Sequence, residues 1–135
     1  KEDPVKKWVI VLVCIAVAAA AGGFVFYGKY KQMEKFLTEY NLKDIDVQAI
    51  PDGAYNGKCS HFLVGVDLDA VVNDHQITEI RINSQDCGKG YEGRQVIDRV
   101  LKAQSLQVDA TTGATGSSKC ILIACERALA SAKAQ

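Results

Sequence analysis

A small α+β head joined to one long apolar helix is the fold class this sequence predicts, and three observations predict it. Residues 8–27 run for twenty positions without a charge. Between Ala54 and Ile82, apolar and polar residues alternate with a period of two, broken by short polar turns. After Gln95 the apolar spacing changes to three and four, first around Val96 to Leu101 and again from Ser118 to about Lys133.

The first segment, residues 1–28, reads as a single transmembrane anchor. Its apolar run has the length that spans a bilayer core as a helix. Trp8 and Tyr27 mark the two ends, as interfacial aromatics do, and Lys6, Lys7, Lys29 and Lys31 lie just outside. A cleavable signal peptide competes, because Ala18 to Ala21 offer small residues. The run is longer than a usual signal core, so a retained anchor is expected. Orientation is not set by charge: three lysines precede the run and three follow it closely.

Residues 29–50 form a neck and linker. Tyr30, Met33, Phe36, Leu37 and Tyr40 recur at helical spacing, so the helix is expected to continue to about Tyr40. Asn41 to Pro51 reads as a linker. The head proper, residues 51–135, opens on the turn residues Pro51, Asp52 and Gly53. Ala54 to Phe62 is a first strand. Val64, Val66, Leu68, Ala70 and Val72 form the buried face of a second. Asn73 to Gln76 is a polar turn with His75 at its tip, and Ile77 to Ile82 is a third, alternating strand. Ser84 to Gly93 reads as a glycine-rich loop. Two helices complete the order β-β-β-α-α.

Composition excludes several functions. Of the 135 residues, 16 are basic and 16 acidic, and the part after Tyr27 holds 13 basic and 14 acidic ones. A neutral head without a basic cluster is poor material for binding phosphate backbones, so nucleic acid is not an expected partner. The five cysteines make no CxxC pair, and with only His61 and His75 beside them they fit no zinc or cluster site. Cys59 with Cys87 is the pair retained as a possible disulfide. No dinucleotide fingerprint and no proton-relay set of His, Asp and Glu is evident.

The chemistry-bearing segment is Asp109-Ala110-Thr111-Thr112-Gly113-Ala114-Thr115-Gly116-Ser117-Ser118-Lys119. Small residues and hydroxyls alternate, and a helix follows at once. Free backbone N–H groups and the positive end of a helix dipole suit an anion there, with Lys119 adding charge in the first turn. A Ser/Thr loop ending in an N-cap at Ser117 or Ser118 is the plainer reading of the same residues. The spacing is not that of a P-loop.

Asp109 to Thr115 matches the pattern D-x-x-[S/T]-G-A-[T/S], and Ala103 to Val108 resembles the run that leads into it. Upstream, Asp52 to Gly57 resembles an opening DGxYxG, with a hairpin strand at Ile77 to Ile80. Over Ile50 to Lys133 the chain resembles an FMN-binding domain, of the kind found in the covalent-flavin subunits of Rnf-type and sodium-pumping NADH:quinone oxidoreductase complexes. The resemblance implies FMN joined through its phosphate to the Thr115 hydroxyl. It also implies a flavin transferase that takes FMN from FAD with Mg²⁺ and reads a pattern including Asp109. Thr112, Gly113, Ala114, Gly116, Ser117, Ser118 and Lys119 are the expected surroundings of the phosphate, while Thr111 and Thr112 are out of register as acceptors. Gly88, Lys89, Gly90 and Tyr91 are expected to bound the ring, although their loop lacks the family's Thr-Pro-Gly run. Tyr55 is a further flavin contact, or else a packed strand tyrosine. No catalytic residue and no metal ligand is assigned.

These features imply a membrane flavoprotein that relays electrons within or to an oxidoreductase complex, rather than a complete enzyme. The expected location is the cell membrane, single-pass, with the head on the extracytoplasmic side and integral membrane redox subunits and the bilayer as partners. A stand-alone extracytoplasmic shuttle and a flavin-holding sensor module are the alternatives.

Overall fold

The computed structural model describes residues 3–88, 92–110 and 113–134. Its elements are α1 (Pro4–Glu39), a one-turn 3-10 helix (Val47–Ala49), β1 (Gly53–His61), β2 (Val64–Asn73), β3 (Gln76–Asp86), α2 (Gln95–Ala103) and α3 (Thr115–Lys133). The fold is α+β: a three-stranded antiparallel sheet, in the order β1-β2-β3, with helices packed on it. By internal contacts the chain divides into two units, one ending at Gln32 and the other beginning at Met33.

The first unit is helical, and it is apolar around its whole circumference. Trp8, Ile10, Leu12, Ile15, Val17 and Phe24 are all more than half exposed. A helix of this length and composition is long and apolar enough to cross a membrane. Lys31 at the polar end lies with its ammonium 5.9 Å from the Tyr27 ring centroid.

In the second unit, sequence alternation becomes burial. On β2, Val66, Leu68, Ala70 and Val72 are buried, while Asp67, Asp69 and Val71 face the other way. β1 contributes Gly57 and Cys59 to the same buried face. On β3 the expected strict alternation from Ile77 to Ile82 is not kept. Val71 pairs with Glu79 but Val72 with Ile77, and Asp67 pairs with Ser84 but Leu68 with Ile82. Thr78 and Asn83 are therefore bulge residues, and each shifts the inward phase by one. This explains why Ile77, Ile80, Ile82 and Gln85 are the inward positions. The bulges also carry the strand on to Asp86, so Ser84 to Asp86 belong to β3 and not to the expected loop.

Inward side chains meet α3, which presents Cys120 to Cys125, Ala128, Leu129 and Ala132 to the core. α2 adds Val96 and Val100. The linker is less open than its sequence implies. Asp46 caps the 3-10 turn by accepting from the Gln48 N–H at 3.1 Å, and this turn buries Val47 and Ile50. Gln104 ends α2 in a left-handed conformation (φ 51°). Its amide accepts from the Ile77 N–H at 2.7 Å and donates to the Ile77 carbonyl at 2.9 Å, tying the helix end to β3.

The helix comes nearest to the sheet at Gly57. A Cβ there would meet the Ala124 carbonyl and lie 2.6 Å from the Ala128 nitrogen. The Cys59–Cys87 disulfide that the sequence left open is not formed, and both thiols are free. Cys59 faces α3 instead, where the Cys120 thiol donates to the Cys59 carbonyl at 3.4 Å.

On the outer face of the sheet, the Asn56 amide donates to Asp67 at 2.7 Å and to Asp69 at 2.8 Å, and Lys58 pairs with Asp67 at 3.0 Å. These hydrogen bonds hold both carboxyls below their usual range, chiefly through Asn56.

Two outcomes follow. Gly57→Ala should destabilise the folded head by about 3 kcal/mol, since the backbone it meets cannot move aside; thermal unfolding of the full chain in detergent measures it. A depressed carboxyl pKa contributes stability above the unfolded value and loses it as pH falls through the folded one. Stability should therefore drop below about pH 4. In an Asp67→Asn/Asp69→Asn variant, denaturation followed from pH 6 to pH 2.5 should show a flatter acid limb than wild type; an unchanged limb would refute the assignment.

Candidate functional site

Two features set the start of α3. Gly113 has φ +79°, a conformation that side chains rarely adopt, and its position is open to solvent. Ala114 follows as the capping residue, with no side-chain hydrogen bond to the helix. The first helical bond runs from the Ser118 N–H to the Ala114 carbonyl at 3.0 Å. The N–H groups of Thr115, Gly116 and Ser117 thus have no acceptor within the helix, and the positive end of the dipole stands at the same place.

The helix therefore begins three residues earlier than expected, and the expected cap at Ser117 or Ser118 is not formed. Both serines lie inside the first turn and are buried, with the Ser118 hydroxyl 3.4 Å from the Gly93 carbonyl that accepts from it. Thr115 is the first helical residue and is exposed. Lys119 falls in the second turn rather than the first, one turn along from Thr115 on the same face.

Gly93 closes the site from the opposite side. A Cβ on it would lie 2.6 Å from the Ser118 Oγ and 2.9 Å from the Ser118 nitrogen, and its φ is +65°. The chain entering α2 thus rests directly on the first turn of α3. Its position is held by Gln85, whose amide donates to the Glu92 carbonyl at 2.6 Å and accepts from Arg94 at 3.0 Å. On the third side, a Cβ at Gly116 would be 3.5 Å from a Leu37 methyl of α1. The segment before Gly113 is held by Arg99, which donates to the carbonyls of Asp109 at 2.6 Å and Ala110 at 3.0 Å. The Asp109 residue itself is exposed.

The expected site residues divide into three groups. Asp109, Gly113 and Thr115 are exposed and Gly116 and Lys119 partly so, while Ala114, Ser117 and Ser118 are buried beneath them. Thr111, Thr112, Lys89, Gly90 and Tyr91 lie outside the described residues, and Gly88 is exposed two residues beyond the end of β3. Tyr55 does not join them. Cys120 faces Cys59 and Ala128 faces Gly57, so α3 runs antiparallel to β1. Thr115 and Tyr55 therefore belong to opposite ends, roughly 20 Å apart by the rise of helix and strand. The Tyr55 hydroxyl is also engaged, donating to the Pro51 carbonyl at 2.7 Å. Gly93, Gln85 and Arg99 are site-forming residues that sequence reasoning missed. For Gly93 the signal was a glycine directly before a helix; for the other two there was none.

Burial pushes the Cys125 thiol up to about 12, and the hydrogen bond with Cys59, with burial beside it, raises that of Cys120, so neither supplies thiolate near neutral pH. The residues that remain fit a phosphate monoester. They offer an exposed hydroxyl, helical N–H groups that the capping residue Ala114 leaves without a side-chain bond, glycines on either side, and a lysine one turn away.

A family model described as an FMN-binding domain matches residues 62–130. The match takes in β2, β3, α2, the Asp109–Thr115 pattern and most of α3, and begins after the DGxYxG-like run. No curated protein and no solved structure matches the chain.

Gly93→Ala should cost about 2 kcal/mol, since it combines an unfavourable φ with a clash against backbone. Gly113→Ala, with open space around it, should cost only the conformational part, about 1 kcal/mol. Thermal unfolding of the two variants ranks them, and amide exchange at Ser118 should accelerate in the first only.

Proposed function

Because the chain belongs to the FMN-binding domain family, we propose that its head carries FMN as a phosphoester on Thr115 and relays electrons as a membrane-tethered subunit of an oxidoreductase complex. The observation that carries this reading is the placing of Thr115: an exposed hydroxyl at the first position of α3, with no side-chain cap competing for the helix N–H groups. A phosphate esterified there receives N–H donors and the helix dipole at once. Gly113 and Gly116 leave room for it, and Lys119 adds a positive charge one turn on.

Attachment is the work of a separate transferase. Among the described residues no hydrogen bond joins the Thr115 hydroxyl to a base, and a threonine without one is a weak nucleophile. In the transfer, the Thr115 oxygen bonds to the flavin-proximal phosphorus of FAD. The pyrophosphate bond breaks, AMP leaves, and the hydroxyl proton is lost. Arg99 shapes the recognition segment by holding the two carbonyls at Asp109 and Ala110, leaving the Asp109 carboxylate exposed to the transferase.

Bound flavin supplies one- and two-electron chemistry; the chain supplies position. α1 supplies the tether, as a single span of the cell membrane. Ten residues separate Tyr27 from Leu37, the side chain beside Gly116, so the attachment point stays within a short reach of the bilayer. That reach raises the effective concentration of flavin near membrane-embedded redox subunits. The head is placed on the extracytoplasmic side, where a covalent bond prevents cofactor loss.

Mass spectrometry of the protein purified from its own host tests the linkage. The peptide containing Thr115 should be heavier by one FMN less one water, and the denatured band should fluoresce. Thr115→Ala should abolish both, Thr115→Ser should retain them at reduced yield, and an unmodified native peptide would overturn the reading.

A further inference from the structure

Cys59 and Cys120 are brought together by the contact that seats α3 on the sheet. At Gly57 the strand and helix backbones leave no room for a side chain, and Ala124 is the residue met there. From Gly57 to Cys59 the strand advances two residues, about 6.7 Å, and from Ala124 back to Cys120 the helix covers four, about 6 Å. The two steps match, so the cysteines face one another, both buried. The Cys120 thiol donates to the Cys59 carbonyl at 3.4 Å and shares a hydrogen bond with the Cys59 thiol. Sulfurs in such contact need only a small approach to reach the disulfide length of about 2.05 Å.

The other cysteines of the head are less well placed. Asp86, just before Cys87, pairs with Gly65 on β2, and Gly65 pairs with Ser60 on β1. Two strand spacings, about 9.6 Å, therefore separate β1 from that end of β3, more than the roughly 7 Å a bridge spans. Cys125 lies about 100° around α3 from Ala124, the residue that faces β1.

Within the pair the two sulfurs differ. The hydrogen bond from Cys120 holds the Cys59 thiol below its usual range against burial, and the charge of Arg127, which donates to the Lys58 carbonyl at 2.8 Å, acts in the same direction. Cys120 is raised first by that same bond, then by burial and by the charge on Cys59. Cys59 is therefore the sulfur that becomes thiolate and attacks. β1 is an edge strand, so local opening of one edge uncovers Cys59 while the rest of the sheet stays folded.

We propose that Cys59 and Cys120 form a dithiol–disulfide site, closed by exchange with a low-molecular-weight disulfide and reopened by a thiol. The Cys59 thiolate attacks one sulfur of the external disulfide, and a thiolate leaves and takes up a proton. The mixed disulfide on Cys59 no longer carries the charge and hydrogen bond that raise Cys120. Cys120 then loses its proton and attacks the Cys59 sulfur, and the second external thiol departs. Two protein thiols are oxidised by two electrons, and one external disulfide is reduced to two thiols. The new bond ties α3 to β1 five residues after Thr115.

The full chain, purified in detergent with its thiols reduced, is incubated folded with glutathione disulfide at about pH 8, near the thiol range. Remaining thiols are then blocked with a maleimide in denaturant, and the peptides are mapped by mass. Wild type should take two fewer labels and give a cross-linked peptide joining Cys59 to Cys120, which dithiothreitol reopens. Its unfolding midpoint should rise by at least about 10 °C, as for a bridge closing a loop of about sixty residues. In Cys120→Ser the reaction should stop at glutathione on Cys59, and in Cys59→Ser the Cys120 thiol should stay unmodified. Both sulfurs still labelled in wild type, a Cys59–Cys87 bridge, or a wild-type Cys59 that keeps its glutathione would each overturn the proposal. Should a serine variant misfold by circular dichroism, the alanine variant replaces it, and the wild-type peptide map decides by itself.

Discussion

At Gly57 the backbone of β1 and the backbone of α3 come so close that no side chain fits between them. A methyl group there would meet the Ala124 carbonyl and press on the Ala128 nitrogen and Cβ. Alanines at 124 and 128 are the matching concession on the helix, one turn apart on the face toward the strand. This contact fixes both the distance of α3 from the sheet and its position along the sheet. Cys120 then falls opposite Cys59, and the five residues before Cys120 carry the helix past the strand toward its His61 end. The position of Thr115 is thus decided by packing ten residues further along the chain.

Such a helix cannot slide. Cys120 to Cys125 are all buried, which is nearly the full circumference, and only Thr115, Arg127, Ala130, Ser131 and Lys133 of α3 are exposed. Its first turn is gripped separately by Gly93 and Ser118. The loop that supplies Gly93 is itself clamped by Gln85, and Gln85 points inward only because the bulge at Asn83 has shifted the phase of β3. An irregularity in the sheet and a glycine in a loop therefore share one consequence, an N-terminus held in place whose first N–H groups have no acceptor within the helix.

Much of the fold was legible because it rests on periodicity. β2 reads directly from its alternating valines, leucine and alanine, and α2 from Val96 and Val100. What periodicity does not encode is the extra residue of a bulge. Thr78 and Asn83 look like ordinary outward positions, so β3 appeared to end at Ile82. The start of α3 was misread for a related reason. Serines before a helix suggest caps, but Ser117 and Ser118 are drawn into the first turn because Gly93 and the core need small residues there. The motif spans Asp109 and Thr115, both of them exposed; the resemblance also drew in Tyr55, which shares the strand of the DGxYxG-like run but lies toward the other end of α3. Arg99 was invisible, since a guanidinium bonding two carbonyls leaves no pattern in its own neighbourhood. The cysteine pairing stayed open for want of distance information: Cys59 faces the helix, and its neighbour there is Cys120.

The antiparallel run of α3 against β1 has a last consequence. It puts the start of α3 and the β1–β2 turn at the same end of the sheet, and successive residues of α1 meet both. Phe36 stacks on His61, and Leu37 backs Gly116. Had α3 run parallel to β1, the same motif would have opened at the Gly53 end, with the length of the sheet between it and α1. A cofactor esterified to the first residue of a helix gains no reach from its own tether, which is one bond long. Under the proposed linkage its place on the head is then set by how α3 is packed and fixed. In this head that fixing is done by a glycine on a strand, an alanine pair on a helix, and two side chains at the foot of the neck.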